Sequence, residues 1–146
     1  MSADRILLDT NVLSELMRPQ PEPRVLDWFS GQGAQTRFVV SAITQAEILL
    51  GIALLPAGKK RTVLAEVART MFEQEFHGLN LAFDDHAAPG YAAIVALRTR
   101  KGAPISVEDA QIAAIATHHR VPLATRDIKD FAGIPELMLV NPWGGS

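Results

Sequence analysis

Four acidic residues stand where a carboxylate can do chemistry as well as solvate a surface. Asp9 ends the apolar run Ile6-Leu7-Leu8, and Asp127 follows Leu123-Ala124-Thr125-Arg126. In open parallel α/β sheets, ligands bind beyond the carboxyl ends of the strands, so acids directly after strands lie on the rim where ligands are met. Glu47 and Asp109 lie inside helical patterns. The i−4, i+3 and i+4 neighbours of Glu47 are Ile43, Leu50 and Gly51, and those of Asp109 are Ile105, Ile112 and Ala113, so both side chains are expected to face inward. Each acid also has a structural explanation. Asp9 could cap a helix beginning near Asn11, and Asp127 could cap a short turn through Ile128 and Phe131. Thr44 to Glu47 and Ser106 to Asp109 both match the S/T-x-x-E/D helix-start pattern.

Taken together, the four acids carry more than four separate caps do. If they converge on one rim, burial and mutual repulsion raise their pKa values unless a cation compensates. The chain has no cysteine. An all-oxygen donor set without a histidine partner selects a hard divalent ion, Mg2+ or Mn2+, over zinc, and so points to phosphate chemistry.

The elements that must position these acids follow from the hydrophobic pattern. Strands are expected at residues 6–8, 38–41, 79–83, 121–124 and 137–140, and helices at 12–17, 24–29, 44–55, 61–76, 87–100 and 107–118. Such alternation is the mark of βαβ units and a mostly parallel five-stranded sheet with helices on both faces. In the long segment from Arg61, Leu64, Ala68, Phe72 and Phe76 repeat at i, i+4, with Val67 and Met71 alongside, which makes one face apolar. Pro19, Pro21 and Pro23 break the first helix, and Leu55-Pro56-Ala57-Gly58 separates two more; Pro89 and Gly90 fall near the start of the fifth helix, where a proline is tolerated. With 146 residues, 48% of them apolar, one domain spanning 1–146 is expected.

Charge and composition narrow the class further. Fourteen Lys and Arg stand against 16 Asp and Glu, so the global basic footprint of most nucleic-acid binders is missing. Six Phe, two Trp and one Tyr are too few and scattered for a base-stacking platform. The opening residues and the short apolar runs suggest neither a signal peptide nor a membrane span, which leads to an expected cytoplasmic location.

Four segments occur in a telling order: Leu7-Leu8-Asp9-Thr10-Asn11-Val12-Leu13-Ser14-Glu15, Thr44-Gln45-Ala46-Glu47-Ile48-Leu49-Leu50-Gly51, Glu108-Asp109-Ala110-Gln111-Ile112-Ala113-Ala114 and Ala124-Thr125-Arg126-Asp127. They resemble the signature segments of PIN domains. Within that superfamily the chain is similar to VapC-type toxins, most of all to the FitB branch. The Pro-rich break, Gly58-Lys59-Lys60 and Asn141-Pro142-Trp143 extend the likeness over nearly the whole chain.

This resemblance implies a PIN-like three-layer α/β sandwich. It also implies a metal-dependent endoribonuclease that serves as the toxin of a toxin–antitoxin pair. A small DNA-binding antitoxin silences it, operator DNA is met only through that antitoxin, and a homodimer is expected. Carried over residue by residue, Asp9, Glu47, Asp109 and Asp127 become the catalytic metal ligands for Mg2+ or Mn2+. Thr10, Asn11 and Thr125 become neighbouring polar groups that orient water or carboxylates. The reaction implied is in-line attack of water on RNA, leaving 5′-phosphate and 3′-hydroxyl ends without a covalent intermediate. Two divalent ions would turn the formal net charge of −2 into +2, with the change placed where a phosphate sits, which answers the objection from bulk charge.

Two rival readings remain. A haloacid-dehalogenase-like phosphatase needs a second Asp two residues after the first, and position 11 is Asn. A non-catalytic metal-binding module of the same fold, partnering a DNA-binding antitoxin, keeps the acids as structural groups.

Among the side features, Lys59, Lys60 and Arg61 form the strongest basic cluster, either a solvated face or a contact for RNA or antitoxin. Arg126, beside Asp127, is a candidate phosphate contact. His118 and His119 fall at a helix C-terminus, where imidazolium would complement the dipole, and His77 and His86 belong to no motif.

Overall fold

The structure, a computed structural model, describes residues 4–144. Its elements run β1 (Arg5–Leu8), α1 (Thr10–Leu16), α2 (Pro23–Ser30), β2 (Arg37–Ser41), α3 (Ala42–Ala53), α4 (Lys59–Thr70), β3 (Asn80–Leu81), α5 (Ala88–Arg100), α6 (Val107–His119), β4 (Leu123–Ala124), α7 (Ile128–Phe131) and β5 (Leu139–Val140). The strands form one sheet in the order β3-β2-β1-β4-β5, parallel throughout.

Alternation along β1 explains the layers. Ile6 and Leu8 pack with α1, α2, α3 and α4 on one face, whereas Leu7 packs with α5, α6 and α7 on the other. Val40 and Val39 divide in the same way on β2. Strands buried on both faces read as continuous apolar runs, which is why Ile6-Leu7-Leu8 shows no polar alternation. Leu7 and Leu8 are fully buried, and each contributes about 1.5–3 kcal/mol by leaving water. On the second face the α6 run from Ile112 to Ala116 is buried, and Gly90 of α5 lies against Ala114, where small residues let the two helices approach.

Differences from the sequence expectation lie mostly at element ends. Pairing in β3, β4 and β5 covers two residues each, fewer than expected, because only those residues find a neighbouring strand in register. The helix expected at 61–76 begins at Lys59 and ends at Thr70, after which one π-helical turn, Met71–Glu75, continues the rod. The Phe76 N–H donates to the Met71 carbonyl at 2.9 Å, and the wider turn brings Met71, Phe72 and Phe76 into the core. Val67, expected on the apolar face, is 40% exposed.

Among the described residues, no helix is long and apolar enough to cross a membrane.

Candidate active site

Adjacent parallel strands bring the first two acids' segments together. Leu8 of β1 pairs with Ala124 of β4, and the Asp9 N–H extends the ladder to the Ala124 carbonyl at 2.9 Å. Asp9 and Thr125, each one residue past its strand, therefore emerge side by side. The Thr125 hydroxyl, fully buried, donates to Asp9 Oδ2 at 2.7 Å and accepts from the Asp127 N–H at 3.0 Å. The other Asp9 oxygen accepts from the Thr10 N–H at 2.8 Å, so Asp9 caps α1 while standing at the carboxyl end of β1. Asp127 makes no capping hydrogen bond to α7. Its carboxylate instead accepts from Asn11 Nδ2 at 3.0 Å.

Asn11 ties the two strand ends together. Its amide nitrogen also lies 3.3 Å from the Thr125 hydroxyl and 3.4 Å from Asp9 Oδ2, while its Oδ1 accepts from the Arg126 N–H at 3.2 Å. A partly positive N–H edge thus stands between two carboxylates.

Glu47 reaches the rim by a different route from the one its sequence pattern suggests. Ser41, the last residue of β2, caps α3 by accepting from the Thr44 N–H at 3.0 Å, so the helix starts before Thr44 and the expected Thr44 to Glu47 cap is not made. This frees Thr44 to point inward, its hydroxyl 3.0 Å from that of Thr10. The Thr10 hydroxyl donates to Glu47 Oε1 at 2.7 Å. Glu47 is half-buried at the edge and not on the core-facing side, because Leu50 is 59% exposed and Gly51 is also exposed. Asp109 lies in the first turn of α6, where its N–H donates to Ser106 Oγ at 3.1 Å, and its side chain is half-buried as expected.

Electrostatics join these carboxyls into one group. Burial, with Asp9 only 4% exposed, pushes its carboxyl from 3.8 to about 6; the Thr125 and Thr10 hydrogen bonds pull it down, and the charges of Asp109 and Asp127 push it up. The Asp109 carboxyl is also raised, first by burial, against its bond to Ser106, and then by the charges of Asp130, Glu47 and Asp127. Asp9 thus feels Asp109 and Asp127, and Asp109 feels Glu47 and Asp127.

Asp130 is a fifth acid that the sequence reading missed. It lies three residues after Asp127 on α7, and that one-turn spacing is the signal that could have found it. The buried Arg98 anchors this stretch, donating to the Asp130 carbonyl at 2.8 Å and to the Ala103 carbonyl at 2.7 Å.

The donor set fits a hard divalent cation. It is oxygen-only, the Asp9 and Asp109 carboxyls are held in an environment that disfavours their charge, and hydroxyl donors fix the orientation of Asp9 and Glu47. Among the described residues, no three Asp, Glu or His side chains are placed to hold a metal ion as they stand, so the rim is open. The hydrogen bonds explain that openness: Thr10 draws Glu47 to one side, while Asn11 stands between Asp9 and Asp127.

Other predicted features lie around this edge. Arg126 is exposed beside the acids. Lys59 and Lys60 open α4, and Lys60 lines a groove of about 420 Å³ with Arg18, Met17, Ile52 and Leu55 that opens on Thr10 and Glu47. His118 and His119 do occupy the last turn of α6. The His119 pKa is lowered, first by burial and then by the charges of His118 and Arg5, with Asp84 opposing, which works against the expected role of an imidazolium at the dipole.

The comparisons with known proteins agree with this architecture. The PIN domain family profile matches residues 6–137. Toxin FitB of Neisseria gonorrhoeae is 42% identical over 138 residues, covering 94% of this chain and 98% of that protein. VapC ribonuclease Y4jK of Sinorhizobium fredii is 39% identical over 138 residues, covering 94% and 97%. Among solved structures, that of FitAB bound to an IR36 DNA fragment superposes with a TM-score of 0.86 at 41% identity, covering 97% of each chain.

Proposed function

The chain belongs to the PIN domain family, and from that premise we propose that it is a divalent-metal-dependent endoribonuclease acting as the toxin of a type II toxin–antitoxin pair. The observation that carries the reading is the Asp9 carboxyl. It is buried, fixed by Thr125 and Thr10, and raised in pKa beside Asp109 and Asp127. A carboxyl raised chiefly by burial, with like charges adding to the shift, is the kind of perturbed group that clusters at functional sites.

Asp9, Glu47, Asp109 and Asp127 would hold Mg2+ or Mn2+, the hard ions that suit carboxylate oxygens. When bound, such an ion supplies Lewis acidity, lowering the pKa of water and polarising a phosphodiester oxygen. The chain's own groups do the rest. Thr125 and the Thr10 N–H hold Asp9 in one orientation, the Thr10 hydroxyl holds Glu47, and Asn11 sets the distance between Asp9 and Asp127. A preorganised rim of this kind needs little rearrangement as charge develops on the substrate.

The relatives supply the partner expectation. The FitAB and VapBC structures pair a toxin with a second protein, in some cases on DNA. For this chain the partner is a small DNA-binding antitoxin, and operator DNA is reached through it. An apolar antitoxin segment fits the groove between Met17 and Ile52, where it would cover the approach to Glu47. Residues 1–146 act as one domain in the cytoplasm. They form a homodimer through the exposed apolar side chains Leu50 of α3, Leu54 just past its end and Val63 of α4.

The test uses metal-stripped protein and a mixed-sequence single-stranded RNA. Cleavage should appear on adding Mn2+ and vanish in the Asp9→Asn variant. RNA that stays intact with the wild-type chain at high enzyme concentration would overturn the reading.

A further inference from the structure

Arg126 differs from the other surface cations at this edge, because an aromatic ring holds it. Its guanidinium lies over the face of Trp143, 5.0 Å from the ring centroid. Among the described residues none forms an ion pair with it, although Glu15 feels its charge. Its own N–H donates to Asn11 Oδ1, so the same amide that separates Asp9 from Asp127 also fixes the Arg126 backbone.

The fold puts the ring in that place. Strands β4 and β5 run parallel with Ala124 opposite Val140, and the Thr125 N–H donates to the Val140 carbonyl at 2.9 Å. The chain then turns at Asn141, whose Oδ1 accepts from the Trp143 N–H at 3.0 Å. That turn drives the Trp143 side chain, 5% exposed, into the core layer below Arg126. A ring so deeply buried is unable to stack on a nucleobase, yet its face remains available to one guanidinium.

We propose that Arg126, held by Trp143, is the arm that grips the RNA backbone at a phosphate next to the scissile bond, with Trp143 as its positioning residue. The inference rests on the ribonuclease reading above. Arg126 and Lys129 share a polar groove of about 310 Å³ with the acids Asp127 and Asp130 and with Asn141, and a neighbouring groove that shares Asn141 is flanked by Arg24, Asp27 and Trp28. A strand whose reacting phosphate lies at the acids therefore meets Arg126 and Lys129 as the two cations of that groove. A free arginine loses rotamer freedom when it binds, whereas one already stacked has lost part of it, so more of the phosphate bond remains as affinity. The planar fork left at the edge suits two phosphate oxygens.

The test measures binding of a fluorescein-labelled mixed-sequence single-stranded RNA by anisotropy in Ca2+, read before any cleavage, together with KM and kcat in Mn2+. Arg126→Ala, which uncovers the Trp143 ring and is therefore followed by thermal unfolding as well, should weaken binding about tenfold. It should also lower the slope of log affinity against log salt by about 0.7, the value for one phosphate contact on a single strand. KM should rise while kcat changes little. Trp143→Leu should weaken binding in the wild-type background, have no further effect in the Arg126→Ala background, and be rescued by Trp143→Phe. That coupling separates positioning from general damage to the fold, which thermal unfolding tracks in parallel. An unchanged affinity and salt slope in Arg126→Ala would overturn the arm, as would an equal loss from Trp143→Leu in both backgrounds. Wild-type protein that neither binds nor cuts RNA would overturn the ribonuclease reading and the arm together.

Discussion

Neutralising Asp9 should stabilise the metal-free protein while abolishing its proposed activity. The carboxyl is pushed from 3.8 to about 6, chiefly by burial. A group whose folded pKa is raised binds its proton more tightly in the folded state. The stability it lends is complete below 3.8 and is lost as pH rises through about 6. At 1.36 kcal/mol per pH unit, the charged form costs the fold about 3 kcal/mol at neutral pH.

Asparagine removes that cost and keeps the oxygen that accepts from the Thr10 N–H. It turns the Thr125 hydroxyl bond from one to a charged carboxylate into one between neutral groups, an offset of about 1 kcal/mol. The net expectation for Asp9→Asn at neutral pH is a gain of about 2 kcal/mol, or roughly 4–8 °C in Tm for a chain of this size. Thermal unfolding in EDTA across a pH series checks the sign and the window, since the gain should shrink as pH falls and disappear near the ordinary carboxyl value. Saturating Mn2+ should reverse the order, because at a hundredfold excess over Kd a ligand adds about 2.7 kcal/mol to the form that binds it. An Asp9→Asn variant that is less stable at neutral pH in EDTA, or whose difference from wild type ignores pH, would refute the electrostatic account of the rim.

The neighbouring groups give further expectations. Thr125→Val keeps shape but removes the hydroxyl that donates to Asp9, and should cost about 1.5–3 kcal/mol in urea unfolding, because that bond is to a carboxyl in a fully buried position. The same change should raise the Asp9 pKa further, since the Thr125 bond is the largest influence pulling it down. Asp130→Asn withdraws one negative charge from the field on Asp109, and a carbon-13 NMR titration should show the Asp109 carboxyl moving down toward its ordinary value. Leu54→Glu changes a side chain that is 75% exposed, so it should alter stability by less than about 0.5 kcal/mol yet shift sedimentation from dimer to monomer if α3 and α4 form the proposed interface.

The central part of the fold was legible because its physics is local. Ile6-Leu7-Leu8 is apolar on both faces and Asp9 ends it, so strand, rim and acid could be read from consecutive residues. Helix α6 announced itself through Ser106, which caps it as its pattern suggested. What escaped depended on partners distant in sequence. Thr44-x-x-Glu47 matches a cap, but Ser41 had already taken that role at the end of β2, and only the sheet shows where that strand ends. Asp130 lies on a four-residue helix too short for a periodic pattern, so its approach to Asp109 is set by the path of the chain after β4. The Arg126 and Trp143 contact needs β4 and β5 side by side, a register that neither segment encodes alone. The π-helical turn at Met71–Glu75 likewise leaves the i, i+4 apolar spacing almost intact in the sequence.

The central claim is that this acid rim cuts RNA through a bound divalent ion. The most direct measurement is the end chemistry of RNA fragments made by metal-stripped protein as Mn2+ is titrated in. The account predicts no cleavage in EDTA, cleavage that rises with Mn2+ occupancy, and fragments bearing 5′-phosphate and 3′-hydroxyl ends. Fragments with 2′,3′-cyclic phosphate ends, formed equally well in EDTA and by Asp9→Asn, would contradict it.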